Sequence, residues 1–287
     1  MSVKRITALT ASVMMLAAGA LTGSTAGAAG QAAERETAAA AVTVSISDTR
    51  MITMPAVVQP GVNRFKVTSA KPSGFQIIQL HEGYTVDEAE ADVKAGLDRG
   101  KLKALRRFEA NVTLVGGVPS APGRTARFWV DLAPGDYIAL DTYARTNAAK
   151  WFGFTAVGVD TGAVMPQGAT LKAVKSANWS KRPAAIPNRG TLTFKNRSSQ
   201  NHFLILVKMK QGATLQDLKE FLMSEEGPPP FIFRYSIESA VISGGESVAF
   251  KYRLPKGTYA MMCFWPDASM GGMPHALMGM MRTIRLK

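Results

Sequence analysis

LPKGTYAMMCF, residues 254–264, decides how this chain is read, because LAPGDYIAL at residues 132–140 repeats the pattern of its first nine positions. Working outward, MPAVVQPG at residues 54–61 matches RPAAIPNRG at 182–190, and FKVTS from Phe65 matches LTFKN from Leu192. FQIIQLHEGYTVDEAEADV from Phe75 then matches LILVKMKQGATLQDLKEFL from Leu204. These last three pairs are offset by about 127 to 129 residues. Four matched segments in one order make the chain a duplication. Domains are expected at residues 41–160 and 168–287, joined by the turn-forming stretch DTGAVMPQG.

The local patterns are mostly those of strands. VTVSIS, FKVTS and FQIIQL in the first half, and LTFKN, FLILVKM and SVAFKYRL in the second, are short β-branched or aromatic runs bounded by Gly, Pro, Asn and Ser. Each half also carries a helix signal at the same place. Thr85 with Glu88, and Thr214 with Asp217, read as a cap followed three residues later by an acid. Apolar residues then recur at helical spacing, as Val86, Ala89, Val93 and Leu97, and as Leu215, Leu218 and Leu222. EEGPPPF, from Glu225, stops the second helix. The expected fold is all-β: two tandem Greek-key β-sandwich domains, each with one inserted helix.

The N-terminus predicts export. MSVKR, the apolar run ITALTASVMMLAAGA and the small residues STAGAAG are the three regions of a secretory signal peptide, read as residues 1–28 with cleavage after Ala28. The apolar run is too short to span a bilayer and no second run follows, so no transmembrane segment is expected in the mature, secreted chain. The net charge of +13, about +11 without Lys4 and Arg5, draws such a chain to an anionic cell-wall or envelope surface or to an acidic redox protein partner. Nucleic acid is not indicated, because the basic residues are scattered and no stacking motif accompanies them.

One cysteine in 287 residues excludes an internal disulfide. In an oxidising compartment a lone thiol needs burial or a metal. GTYAMMCF reads as a strand ending at Cys263, and MMRTIRLK as a final strand beginning near Met280, so that Cys263, His275 and Met280 share one end of the sandwich. His202 follows the turn NRSSQN at the start of another strand. Taken singly, each has a bland reading: a hydrogen-bonded histidine, a core thiol, a surface loop histidine, a packing methionine.

Together they resemble the cupredoxin family, whose type 1 copper site takes a histidine from a mid-chain strand and a Cys, His and Met from the last inter-strand loop. The resemblance covers most of the second half, including the turn from Asn196 to His202, Pro255-Lys-Gly-Thr-Tyr259 and the spacing of His275 and Met280. It implies one copper ion held by His202, Cys263 and His275, with Met280 axial, and a role in outer-sphere electron transfer or copper handling. Eleven residues separate Cys263 from His275, a longer loop than in the simple members of that family. Gly271, Gly272 and Pro274 supply its turning capacity.

The first half offers a comparison. Asp141 aligns with Cys263, and Ser73 or Gly74 falls opposite His202. No histidine or methionine stands in TYARTNAAKWFGFTAV, so this half is expected to be a degenerate, metal-free cupredoxin-like domain. His81 aligns with Lys210 and is expected on the surface. Met270, Met273, Met278 and Met281 allow a second metal reading, an open thioether loop for Cu(I), whereas Met261 and Met262 lie within a strand and read as packing.

The function classes narrow accordingly. Three histidines are too few for a multicopper enzyme, and Cys263 with His275 has only Asp267 nearby as an orienting acid, so no catalytic residues are assigned and the chain is not expected to be an enzyme. The competing class is a metal-free β-sandwich serving as a structural or binding module of the cell envelope.

Overall fold

The structure is a computed structural model and describes residues 41–144, 150–175, 177–224 and 226–287. The segment read as a signal peptide, residues 1–28, lies outside the described residues, as do residues 145–149 of the first-half comparison stretch. No helix among the described residues is long and apolar enough to cross a membrane.

Strands are numbered β1 to β19 along the chain. In the first half a five-stranded sheet runs in the order β3 (Val57–Val58), β9 (Phe152–Ala156), β8 (Gly135–Asp141), β5 (Ser73–Leu80) and β6 (Val112–Ser120). The second half repeats that order with β11 (Ala185–Ile186), β19 (Met281–Leu286), β16 (Gly257–Met262), β13 (Ile205–Met209) and β14 (Phe231–Glu238). In each case the first-named pair is parallel and the others antiparallel.

The opposing layer is one seven-stranded sheet drawn from both halves. Its order is β10 (Ala169–Val174), β12 (Arg189–Arg197), β15 (Ser247–Arg253), β7 (Ala126–Leu132), β4 (Gly61–Ser69), β1 (Ala41–Ile46) and β2 (Ile52–Thr53). The halves meet where β15 pairs with β7 through Val248 with Val130, Ala249 with Trp129 and Phe250 with Phe128. That seam removes an exposed edge from each half, and exposed edges invite aggregation.

Alternation makes these strands two-faced. In β1, Val42, Val44 and Ile46 are buried while Thr43 and Ser45 are exposed, as a half-buried strand requires. Phe65, Phe75 and Phe128 are fully buried between the layers, with Phe65 stacked on Phe128 at 4.9 Å. Each ring contributes about 1.5–3 kcal/mol by leaving water. Buried side chains of both halves form one contiguous cluster.

The two predicted caps form. Glu88 N–H donates to Thr85 Oγ1 at 3.2 Å while Thr85 N–H donates to Glu88 Oε2 at 2.9 Å, starting α1 (Val86–Val93). Asp217 and Thr214 make the same reciprocal pair. The first half departs from the expectation of a single inserted helix. After α1 comes a π-helical turn, Lys94–Asp98, and a second helix, α2 (Leu102–Asn111). Leu105 and Phe108, three residues apart, are buried, and Gly100 at φ 65° provides the turn between the helices. The second half has one helix here, α3 (Leu215–Ser224).

Candidate metal centre

Three local devices bring the cluster together. The first is the turn before His202. Asn196 is fully buried, its amide donating to Gln200 O at 2.6 Å and Ile242 O at 3.0 Å while its Oδ1 accepts from Ser198 N–H at 3.0 Å. An Asx-type side chain thus does the work of a backbone turn. His202 is then clamped by reciprocal backbone bonds with Ile242, at 3.0 and 2.8 Å.

The second device sets the register of Cys263. Tyr259 donates its hydroxyl to Pro255 O at 2.7 Å, and Tyr137 donates to Ala133 O at 2.9 Å in the first half. Four residues after each tyrosine stand Cys263 and Asp141. Cys263 Sγ accepts from Phe203 N–H at 3.5 Å, and Asp141 Oδ1 accepts from Gly74 N–H at 2.8 Å. Asp141 therefore holds the position of the thiol. There it pairs with Arg50, Nη1 to Oδ2 at 2.5 Å, and Ser73, opposite His202, donates to Lys71 O at 3.0 Å. An ion pair fills the first half where the second half gathers soft donors.

The third device shortens the long loop. Short strands β17 (Pro266–Asp267) and β18 (Met273–Pro274) pair, Pro266 opposite Pro274, and His275 N–H donates to Trp265 O at 3.0 Å. The hairpin sets residues 268–272 aside, so His275 lies across a ladder from Trp265 instead of eleven residues away in space. Asp267 organises its turn, with Oδ1 accepting from Ser269 and Met270 N–H at 2.7 and 3.1 Å and Oδ2 accepting from Gln200 Nε2 at 2.8 Å.

The result is a compact donor set. His202 Nδ1 and His275 Nδ1 are 3.0 Å apart, and Cys263 Sγ is 3.6 Å from the first and 3.8 Å from the second. A triangle with those sides has a centre about 2.0 Å from each corner, which is the length of a metal–imidazole bond at ~2.0–2.1 Å and near the ~2.3 Å of a metal–thiolate bond. All three residues are fully buried. Among the described residues this is the one group of His, Cys, Asp and Glu with ligand spacing, and it could hold a metal ion.

Burial sets the electrostatics. It pushes the Cys263 thiol up to about 12 against the two backbone N–H groups of Phe203 and Trp265, which favour the thiolate. It pushes His275 down to about 4, although the Asp267 carboxylate acts the other way. The nearest approach of that carboxylate, Oδ2 to His275 Nε2, is 4.0 Å, and Nε2 has no hydrogen-bond partner. Without a metal the thiol and the His275 imidazole are neutral, and a cation would have to displace the thiol proton.

Met280 is fully buried and stands beside His275, its N–H donating to His275 O at 2.9 Å. Trp179 Nε1 donates to Met280 O at 3.0 Å. Of the other sulfurs, Met261 and Met262 are core, Met270 and Met273 are exposed, and Met278 and Met281 are partly buried. His81 is exposed and bonded to Thr113 Oγ1 at 3.0 Å, away from the cluster.

Sequence reasoning missed the contribution of the first half. Helix α2 reaches the site loop, where Glu109 Oε1 accepts from Trp265 Nε1 at 2.6 Å and Arg106 Nη1 donates to Ala268 O at 2.8 Å. No local signal marks these contacts. Trp179 was missed as well, whereas Asn196 was legible in the turn composition NRSSQN.

No family model and no curated protein matches the chain. Among solved structures, a dithionite-reduced auracyanin from Roseiflexus castenholzii is 20% identical, with 42% of this chain and 95% of that one covered at a TM-score of 0.28. A purple cupredoxin from Nitrosopumilus maritimus is 12% identical, covering 42% and 99% at 0.25. A copper-containing nitrite reductase from Thermus scotoductus SA-01 is 11% identical, covering 86% and 61% at 0.22. The chain's own strand topology and its buried His–Cys–His cluster agree with what the resemblance read from its residues implies.

Proposed function

We propose that the chain is an exported electron carrier in which His202, Cys263 and His275, with Met280 as a fourth ligand, would hold one copper ion. The observation that supports this most is the point about 2.0 Å from both Nδ1 atoms and the thiol sulfur, which suits a trigonal N₂S site. Bound there, copper would supply one-electron redox chemistry.

The chain's own residues do the rest. Asn196 and the Ile242 bridge hold His202, the β17–β18 hairpin holds His275, and Trp179 holds the Met280 backbone. A donor set fixed by such supports reorganises little when the charge of a bound ion changes. Full burial keeps water from the ligands. With two of the three histidines committed and His81 on the surface, little remains for a second metal, so we assign a carrier rather than an enzyme.

In this reading residues 41–160 and 168–287 are the two domains, the first metal-free, residues 1–28 direct export, and the net charge of about +11 that remains without Lys4 and Arg5 draws an acidic redox partner or an anionic envelope surface. The test is to load the purified protein with Cu(II). A strong visible thiolate-to-copper band at one copper per chain is expected, lost in Cys263→Ser and kept in Asp141→Asn. A colourless protein without copper affinity would overturn the proposal.

A further inference from the structure

The seven-stranded sheet has an inner face, which carries Phe65, Phe128 and Phe250 into the core, and the residues alternating with these point the other way. On that outer face Arg64 lies opposite Trp129 and Lys66 opposite Arg127, and in the second half Thr191 lies opposite Lys251 and Arg189 opposite Arg253. Lys251 follows Phe250 and Arg127 precedes Phe128, which face each other across the seam, so these two cations stand on neighbouring strands. Lys251 Nζ fixes the side: it lies 5.6 Å from the centre of the Trp129 ring and donates to Thr191 Oγ1 at 2.9 Å.

Lys66, Arg127, Lys251, Arg189 and Arg253 thus form a basic patch that spans both halves. Among the described residues none of the five enters an ion pair, and Asp131 is the one acid that β4, β7, β12 and β15 place on this face. Two of the pairings, Lys66 with Arg127 and Arg189 with Arg253, set like charges directly opposite, which costs folding stability. Folding gains nothing from that arrangement, so its use lies in an anionic partner.

Two observations choose that partner. The stretch joining the halves crosses the same face, where Ala163 and Met165 pack on Val62, Trp129 and Ala249, and Val164 between them is 77% exposed. An apolar side chain standing out beside a row of cations is the combination that peripheral membrane binding uses. The patch also lies away from the donor cluster. At ~3.3 Å per residue, β12 runs ~23 Å from Arg189 to Asn196, which anchors the turn before His202, too far for a redox partner docked on the patch to exchange electrons directly. We propose that this face rests on an anionic lipid bilayer, the five cations on the headgroups and Val164 at the acyl boundary. The proposal rests on the envelope-surface reading above, to which it gives a surface, and it is independent of copper.

The test is vesicle co-sedimentation of the metal-free chain from residue 29 onward, which keeps every described residue and removes the apolar segment that would itself insert. Binding to vesicles of phosphatidylglycerol and phosphatidylcholine in equal parts is expected, weakening as salt rises and absent from pure phosphatidylcholine. Arg127→Gln and Arg253→Gln are expected to weaken it about fivefold each. Lys103→Gln combined with Lys219→Gln, which removes exposed cations from α2 and α3, is expected to leave it nearly unchanged. Val164→Ser is expected to weaken it several-fold with the unfolding midpoint in place. Arg253→Gln is also expected to raise that midpoint, because Arg189 loses its like-charged neighbour. An equal loss from the two helix lysines would assign the binding to net charge alone. Indifference to Val164→Ser, with soluble polyphosphate bound as well as the vesicles, would assign the patch to a dissolved polyanion. Either result, or no binding to the anionic vesicles, would overturn the proposal.

Discussion

At the residue scale the duplication separates what the fold needs from what the site needs. Tyr137 and Tyr259 make the same corner in both halves, because strand exit geometry is common to both. Four residues later the requirement diverges. Asp141, with Arg50, satisfies buried polarity by a charge pair, and Cys263 does so with two imidazoles. Backbone space is equally exacting at single positions. A Cβ on Gly117, at φ 151°, would stand 2.0 Å from Phe75 O, so Gly117→Ala is expected to cost about 3 kcal/mol. At Gly83, with φ 80° and nothing within 4 Å, the same change meets only left-handed backbone strain of ~1–2 kcal/mol. Denaturant unfolding of the two variants measures the difference, and equal losses would show that β5 and β6 can shift apart.

At the element scale, helices carry two kinds of information. The caps of α1 and α3 are local, and Thr85→Ala and Thr214→Ala are each expected to lower stability by about 1 kcal/mol through loss of the cap, read from denaturant midpoints. Helix α2 acts at long range. Glu109→Ala removes the acceptor of a Trp265 N–H, which is expected to cost ~1–3 kcal/mol because a part-buried donor loses its partner. The same variant is expected to shift the visible band of the copper-loaded protein, since Trp265 O in turn holds His275 N–H. An unchanged band with reduced stability would confine α2 to a packing role. The β17–β18 hairpin shows why spacing alone misleads: the number of residues between two ligands says little once part of the loop folds on itself.

At the scale of the whole molecule, the seam between β15 and β7 and the common core join the halves through one sheet and one buried cluster. Away from that seam Gln76 also joins the two halves, its amide nitrogen donating to Val241 O at 3.1 Å and its oxygen accepting from Val241 N–H at 3.0 Å. Burial raises two carboxyls, Glu238 and Glu246, to about 7, with Tyr143 opposing the shift in the first and the Asp131 charge adding to it in the second. Unfolded glutamate titrates near ~4.3. Between these values the two carboxyls hold more protons folded than unfolded, so their contribution to stability falls as pH rises, and His275, held down near 4, offsets part of that fall up to its ordinary value. The midpoint of thermal unfolding is expected to decline from pH 4.5 to 7, and Glu238→Gln with Glu246→Gln is expected to flatten that slope. A slope unchanged by both substitutions would place the linkage elsewhere.

The sequence by itself determined most of the elements and the donor types of the candidate site. Strand alternation, the threonine caps, the turn residues around Asn196 and the repeated LPKGTY pattern are short-range signals, each readable within a few residues because local sterics and hydrogen bonding fix them. It named His202, Cys263, His275 and Met280, and it was silent on α2 as a second helix until the spacing of Leu105 and Phe108 was seen in place. The tertiary structure alone decided which edges join, that the first half's α2 holds the second half's loop, and that three donor atoms converge. Those outcomes depend on complementarity between surfaces far apart in the chain, which leaves no periodicity in the sequence to read.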